Sequence, residues 1–303
     1  MVKSLKELET KAKDQKKMRL VLVAAHDKHA LSAVLKAQDS GIVEAVLVGD
    51  EEEIRNIASE DNLNLEKTKI INEKDLTEAA NKSAKLIAND EADFIMKGKI
   101  DTSIMMKSIL NKEFKLRTDN LLTHVMTYEI PKYHKLLMLT DGGMVPSPSF
   151  DDKKGILKNA VDVSRALGNE TTNVSCLAAK EKVSEKMPAT VEGDKLKKLA
   201  QNNEFGSDVV VEGPIAFDLA VSKEAADIKG YESPVAGNTD VLLVPTIEVG
   251  NGIGKALTYM SGAESAGIIM GAKVPIVLVS RADTERTKFY SIALGSVIAA
   301  NKK

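Results

Sequence analysis

Short runs of Val, Ile and Leu, each followed by a stretch with helical periodicity, recur along this chain and constrain its fold more than any other feature. Residues 19–24, 45–48, 68–71 and 93–96 read as buried strands. Charged helical stretches follow them, the first near 28–39 and the fourth starting near Asp101. Apolar runs of this length, separated by helices of about 10–15 residues, predict βαβ units and a mostly parallel sheet covered on both faces. Residues 121–129 and 136–139 read as two extended segments around an Ile130-Pro131-Lys132-Tyr133 turn. The Gly/Pro/Ser stretch 141–149 reads as a loop and as a crossing between domains. Strands at 174–177, 209–212, 241–244 and 276–279 then alternate with helices again. The fold class is therefore two-domain α/β with mostly parallel sheets and helices on both faces. Residues 1–138 plus 280–303 form the expected first domain and 139–279 the second. In such folds ligands bind beyond the C-terminal ends of the strands.

Composition narrows the partners. A chain of 303 residues, 43% hydrophobic and 28% charged, can bury a core in each domain. Its net charge of −2 gives it no general attraction to nucleic acid or anionic lipid, so any anion site must be local. The single cysteine, Cys176, lies in an apolar run and cannot form an internal disulfide. This fits a reducing, cytoplasmic setting and an inert thiol. No apolar run approaches the ~20 residues of a membrane span. Leu5, Leu8 and Ala12 share one helix face, which predicts a surface helix docked on the core.

Four strand-to-helix junctions have unusual residues. In Met96-Lys97-Gly98-Lys99-Ile100-Asp101-Thr102, a strand runs through a glycine into a helix capped by Asp101 or Thr102. Free N–H groups there, with Lys97, Lys99 and Lys107, suit an anion, while a capped helix with solvated lysines explains the same residues. In Glu248-Val249-Gly250-Asn251-Gly252-Ile253-Gly254-Lys255, alternate glycines predict a loop that approaches a ligand, with Lys255 opening the helix. It misses the nucleotide-binding loop, because Val249 and Ala256 stand where Gly and Ser or Thr are needed. It misses the dinucleotide fingerprint too, because the third glycine comes one residue early. The third junction, Val279-Ser280-Arg281-Ala282-Asp283-Thr284, delivers a hydroxyl and a guanidinium just before a helix capped by Asp283 or Thr284. The fourth, Glu212-Gly213-Pro214, is explained by helix initiation at Pro214. His26, His29, His124 and His134 show no metal-ligand spacing, and surface or capping roles are expected for them. No Gly-x-Ser-x-Gly elbow occurs.

At these junctions the sequence resembles the phosphate acetyltransferase and phosphate butyryltransferase family. The resemblance runs from about residue 20 onward and rests on six stretches. They are Met96-Lys97-Gly98 with Thr102, Leu122-Thr123-His124-Val125, Glu212-Gly213-Pro214-Ile215-Ala216-Phe217-Asp218, Ser233-Pro234-Val235-Ala236-Gly237-Asn238, Glu248-Val249-Gly250-Asn251, and 271–283. It implies a fold like that of isocitrate and isopropylmalate dehydrogenases, a homodimer, and an active site in the interdomain cleft. Ser280 and Arg281 match a catalytic pair. Thr102 and the position of Lys107 match residues lining the cleft, and Lys97, Gly98, Thr123, Gly250, Asn251 and Gly252 complete the expected substrate contacts. The family's acetyltransferase branch places an aspartate seven residues beyond the serine as base for the coenzyme A thiol, but Thr287 stands there. That departure and His124 favour the butyryltransferase branch and leave Asp283 and His124 as candidate bases.

The resemblance thus implies reversible transfer of a short acyl group, butyryl first and acetyl as the alternative, between coenzyme A and inorganic phosphate. Neither a cofactor nor a metal is expected, because the thioester is already activated. A decarboxylating dehydrogenase of similar fold would need an aspartate cluster for a metal and several arginines for substrate carboxylates, and the sequence has neither pattern.

Overall fold

A computed structural model describes residues 1–280 and 283–302. The chain divides into two compact units. One comprises Leu5–Asn120 and Ala266–Lys303, the other Met1–Ser4 and Leu121–Ser265. The expected divisions at 138/139 and 279/280 fall later than these. The 141–149 stretch, read as a crossing between domains, lies inside the second unit.

In the first unit the strands are β1 (Met18–Val23), β2 (Val43–Gly49), β3 (Lys69–Asn72) and β4 (Phe94–Lys97). Those of the second unit are β5 (Thr123–Glu129), β6 (Leu137–Thr140), β7 (Thr172–Leu177), β8 (Val209–Ile215) and β9 (Val241–Leu243). The chain then returns through β10 (Glu264–Met270) to β11 (Ile276–Val277). The helices are α1 (Leu5–Asp14), α2 (Lys28–Asp39), α3 (Glu51–Glu60), α4 (Leu76–Ala88), α5 (Thr102–Ile109), α6 (Phe150–Ala166), α7 (Pro188–Gln201), α8 (Phe217–Val221), α9 (Lys223–Ile228), α10 (Ile247–Met260) and α11 (Glu285–Asn301).

The first unit orders its strands β3-β2-β1-β4-β11-β10. β1 runs parallel to β2, pairing Met18 with Val43, and to β4, pairing Val23 with Lys97. Leu20, Val21, Leu22 and Val23 are all buried, on both faces of the sheet, which is why the sequence shows a continuous apolar run rather than alternation. β2 and β1 each run into an aspartate that caps the next helix: Asp50 accepts from Glu52 N at 3.0 Å, and Asp27 from Ala30 N at 2.8 Å. α1 buries Leu5, Leu8 and Ala12 and packs against α11, as its one-sided pattern predicted. Each buried leucine contributes about 2 kcal/mol. β10, which the sequence pattern did not reveal, runs antiparallel to β11.

The second unit orders its strands β5-β6-β9-β7-β8. β5 and β6, the two extended segments expected around the 130–133 turn, pair antiparallel, and Tyr133 N donates to Ile130 O at 2.9 Å. β6, β9, β7 and β8 are parallel. The Pro/Ser loop ends in a capping box between Ser149 and Asp152 that starts α6. Pro214 lies inside β8, and the following helix starts at Phe217, so the helix-initiating role expected for Pro214 is corrected. No described helix is long and apolar enough to cross a membrane.

Candidate active site

The parallel strands of the first unit deliver their C-terminal ends to one edge. After β4, Gly98 N donates to Val23 O at 2.8 Å and Lys99 N to Ala24 O at 2.9 Å, so the loop lies flat across the end of β1. A Cβ at position 98 would fall 2.5 Å from Val23 O and closer still to Ala24 O, so only glycine permits this approach. Asp101 is the N-cap residue of α5, but its carboxylate makes no capping hydrogen bond to the first turn. Thr102 opens that helix and is exposed. Lys107 is exposed in the last turn, five residues on, about 140° around the axis from Thr102. The two therefore do not share a helix face.

β11 lies parallel beside β4, with Val277 opposite Met96. Lys97, Gly98 and Ser280 consequently leave neighbouring strands at the same edge. β11 itself is shorter than the expected 276–279 strand, and Ser280 is exposed. Asp283 Oδ2 accepts from Ser280 N at 2.7 Å. The buried ammonium of Lys288 donates to Asp283 O at 2.6 Å and Ser280 O at 3.4 Å. Thr284 caps α11, accepting from Thr287 N at 3.1 Å. Asp283 is thus tied by hydrogen bonds to Ser280 and Lys288. Arg281 lies outside the described residues.

The second unit has its own constellation at the C-terminal ends of β6 and β9. Asp141 is 2% exposed. Its Oδ2 accepts from His124 N at 2.8 Å, and its Oδ1 from Gly143 N at 2.8 Å and Met144 N at 2.7 Å. Gly143 crosses the imidazole so closely that a Cβ there would stand 2.8 Å from His124 Nδ1. Gly142 packs on α10, where a Cβ at Gly250 would fall 2.8 Å from Gly142 Cα. Asn251 is exposed, its Nδ2 3.5 Å from Gly142 O. The expected glycine loop is therefore corrected: α10 begins at Ile247, and Gly250 and Gly254 lie on its packed face, Gly254 against the Tyr128 hydroxyl. Gly252 has no atom within 4 Å of a would-be Cβ, and Lys255 lies well inside the helix. Thr123 is fully buried, and its hydroxyl accepts from Asn159 Nδ2 of α6 at 2.9 Å.

The remaining marked groups have structural surroundings. Cys176 is buried, and loss of water pushes its thiol up to about 12. Glu212 accepts from Lys197 Nζ at 2.6 Å and from Ser233 Oγ at 2.8 Å, joining two of the matched motifs. His26 is buried rather than at the surface, its Nε2 4.0 Å from Glu53. Among the described residues no group of three or more His, Cys, Asp or Glu could hold a metal ion.

Comparison with known proteins decides what these loops belong to. The family described as "Phosphate acetyl/butaryl transferase" matches residues 4–82 and 73–296. The chain belongs to this family. It is 39% identical over 302 residues to a phosphate butyryltransferase of Clostridium acetobutylicum, covering 100% of both chains. It is 41% identical over 281 residues to a phosphate acetyltransferase of Thermotoga maritima, covering 93% of this chain and 95% of that one. A branched-chain phosphotransacylase from Enterococcus faecalis has the same fold with a TM-score of 0.81 and 31% identity, covering 92% of this chain and 99% of that chain. Within the family frame, sequence reasoning passed over Asp141, although the Asp-Gly-Gly run directly after an apolar strand was a signal. Lys288 carried no signal, because its role depends on where its ammonium reaches.

Proposed function

We propose that the chain transfers a short acyl group, butyryl by preference, between coenzyme A and inorganic phosphate. The observation that carries this reading is the full-length agreement with phosphate butyryltransferases. In the forward direction a phosphate oxygen attacks the thioester carbonyl, the carbon–sulfur bond breaks, and the phosphate's proton ends on the thiol. Charge grows on the carbonyl oxygen, and the exposed Ser280 hydroxyl is suited to donate to it. Lys97 and, by the family resemblance, Arg281 are the cations for the phosphate, and the Gly98 loop and Thr102 at the start of α5 follow directly after Lys97. Of the two candidate bases, His124 is preferred for carrying the proton between phosphate and sulfur, since the Asp283 carboxylate already accepts from Ser280 N. The reading is of a cytoplasmic enzyme that needs no metal or bound cofactor.

A homodimer fits the exposed end of α10, where Tyr259 and Met260 are 69% and 86% exposed. The resemblance to an acetyltransferase keeps acetyl as the second acyl group.

The test is a panel of acyl-CoA substrates from acetyl to hexanoyl, assayed for thiol release with and without phosphate. Release should require phosphate and peak at butyryl. Equal release without phosphate would make the chain a thioesterase and end the reading. Ser280→Ala should lower kcat about a hundred- to a thousandfold, with smaller effects on KM.

A further inference from the structure

We propose that Asp141 is a positioning residue for this reaction, acting through His124 and the turn at 142–144. The inference rests on the acyl-transfer reading. The pairing of β5 with β6 sets Met126 opposite Leu139, and the same register carried outward sets His124 opposite Asp141. There the backbone ladder gives way to side chains. His124 N–H donates to Asp141 Oδ2, and Thr140 Oγ1 donates to His124 O at 2.9 Å, so the main chain of His124 is held at both of its polar groups. The other carboxylate oxygen gathers Gly143 N and Met144 N, which folds the turn back over the imidazole. One buried group thus fixes the histidine and the wall against its ring.

A carboxylate suits this task because it only accepts, and two oxygens can receive three N–H groups together. An amide would have to turn an NH2 toward at least one of those donors. Closing a turn does not by itself call for a charge withdrawn from water, since a neutral acceptor avoids the desolvation cost. The location is also at the C-terminal ends of β6 and β9, the edge where ligands bind in parallel sheets.

The experiment is a double-mutant cycle of Asp141→Asn and His124→Gln, with steady-state kinetics and melting temperatures on all four proteins. Asp141→Asn should lower kcat ten- to a hundredfold, move either KM by less than threefold, and change kcat less than threefold when His124 is already Gln. Gly143→Ala, which presses on the ring without touching the carboxylate, should lower kcat by a similar factor. NMR of the His124 ring protons reports the same geometry without turnover, and Asp141→Asn should shift or broaden those resonances. Additive effects in the cycle, a kcat loss no larger than the unfolded fraction, or an unchanged ring spectrum would each overturn the proposal. Failure of the wild type to release thiol with phosphate would overturn the acyl-transfer reading and the catalytic role of Asp141 with it. The ring spectrum would still show whether Asp141 fixes His124.

Discussion

Replacing Gly98 by alanine should destabilise the first unit far more than an exposed glycine substitution normally does. The added Cβ would fall 2.5 Å from Val23 O and closer to Ala24 O, both of them main-chain atoms of a buried strand end. Neither can rotate away, so the loop must lift off β1. Lifting it breaks the bonds from Gly98 N and Lys99 N, at 2.8 and 2.9 Å, each contributing about 1 kcal/mol. Forced overpacking adds about 1–3 kcal/mol. The sum is roughly 3–5 kcal/mol, or a fall in melting temperature on the order of 10 °C for a chain this size. Gly252→Ala is the control: position 252 lies inside α10 with open space around it, so alanine should stabilise by about 0.5–1 kcal/mol. Thermal unfolding by circular dichroism at fixed protein concentration measures both. A Gly98→Ala melting temperature within about 2 °C of wild type, or shifts of the same sign in both variants, would refute the close-approach argument.

Two further outcomes follow from buried titratable groups. With its thiol pushed up to about 12, Cys176 should react with Ellman's reagent at pH 8 on the order of a thousandfold more slowly in the native than in the denatured protein, and Cys176→Ala should keep full activity. Labelling at the speed of a free thiol would contradict this. Burial lowers the pKa of His26 from 6.5, with Glu53, Asp50 and Asp27 raising it and Lys99 lowering it further. The unfolded chain therefore takes up this proton first, and stability present above about pH 6.5 is lost as the pH falls toward the folded value. His26→Gln should shrink the drop in melting temperature between pH 7.5 and 5.5, and an unchanged drop would show that other groups dominate.

What was legible in the sequence was the part of the fold written in local pattern. The continuous apolar runs of β1 and β4, the one-sided α1 and the extended segments of β5 and β6 all stand close to where the residue pattern put them, because burial of a strand or helix face leaves its spacing in the residues. The family was legible for a related reason, since short motifs such as Met96-Lys97-Gly98 and Ser280-Arg281 are contiguous. The glycines of α10 were misread because a glycine that admits a ligand and one that admits a neighbouring backbone look alike in a string.

By itself, then, the sequence determined the alternation of strands and helices, the family, and the loops at the strand ends. Tertiary structure alone decided that Gly250 meets Gly142, that Asp283 bonds Ser280 N and Lys288, and that Asp141 reaches His124 across 17 residues of chain. The physical reason is that apolar periodicity records whether a position is buried. A hydrogen bond between distant residues depends on strand register and close backbone approach, and these exist only once the units are packed.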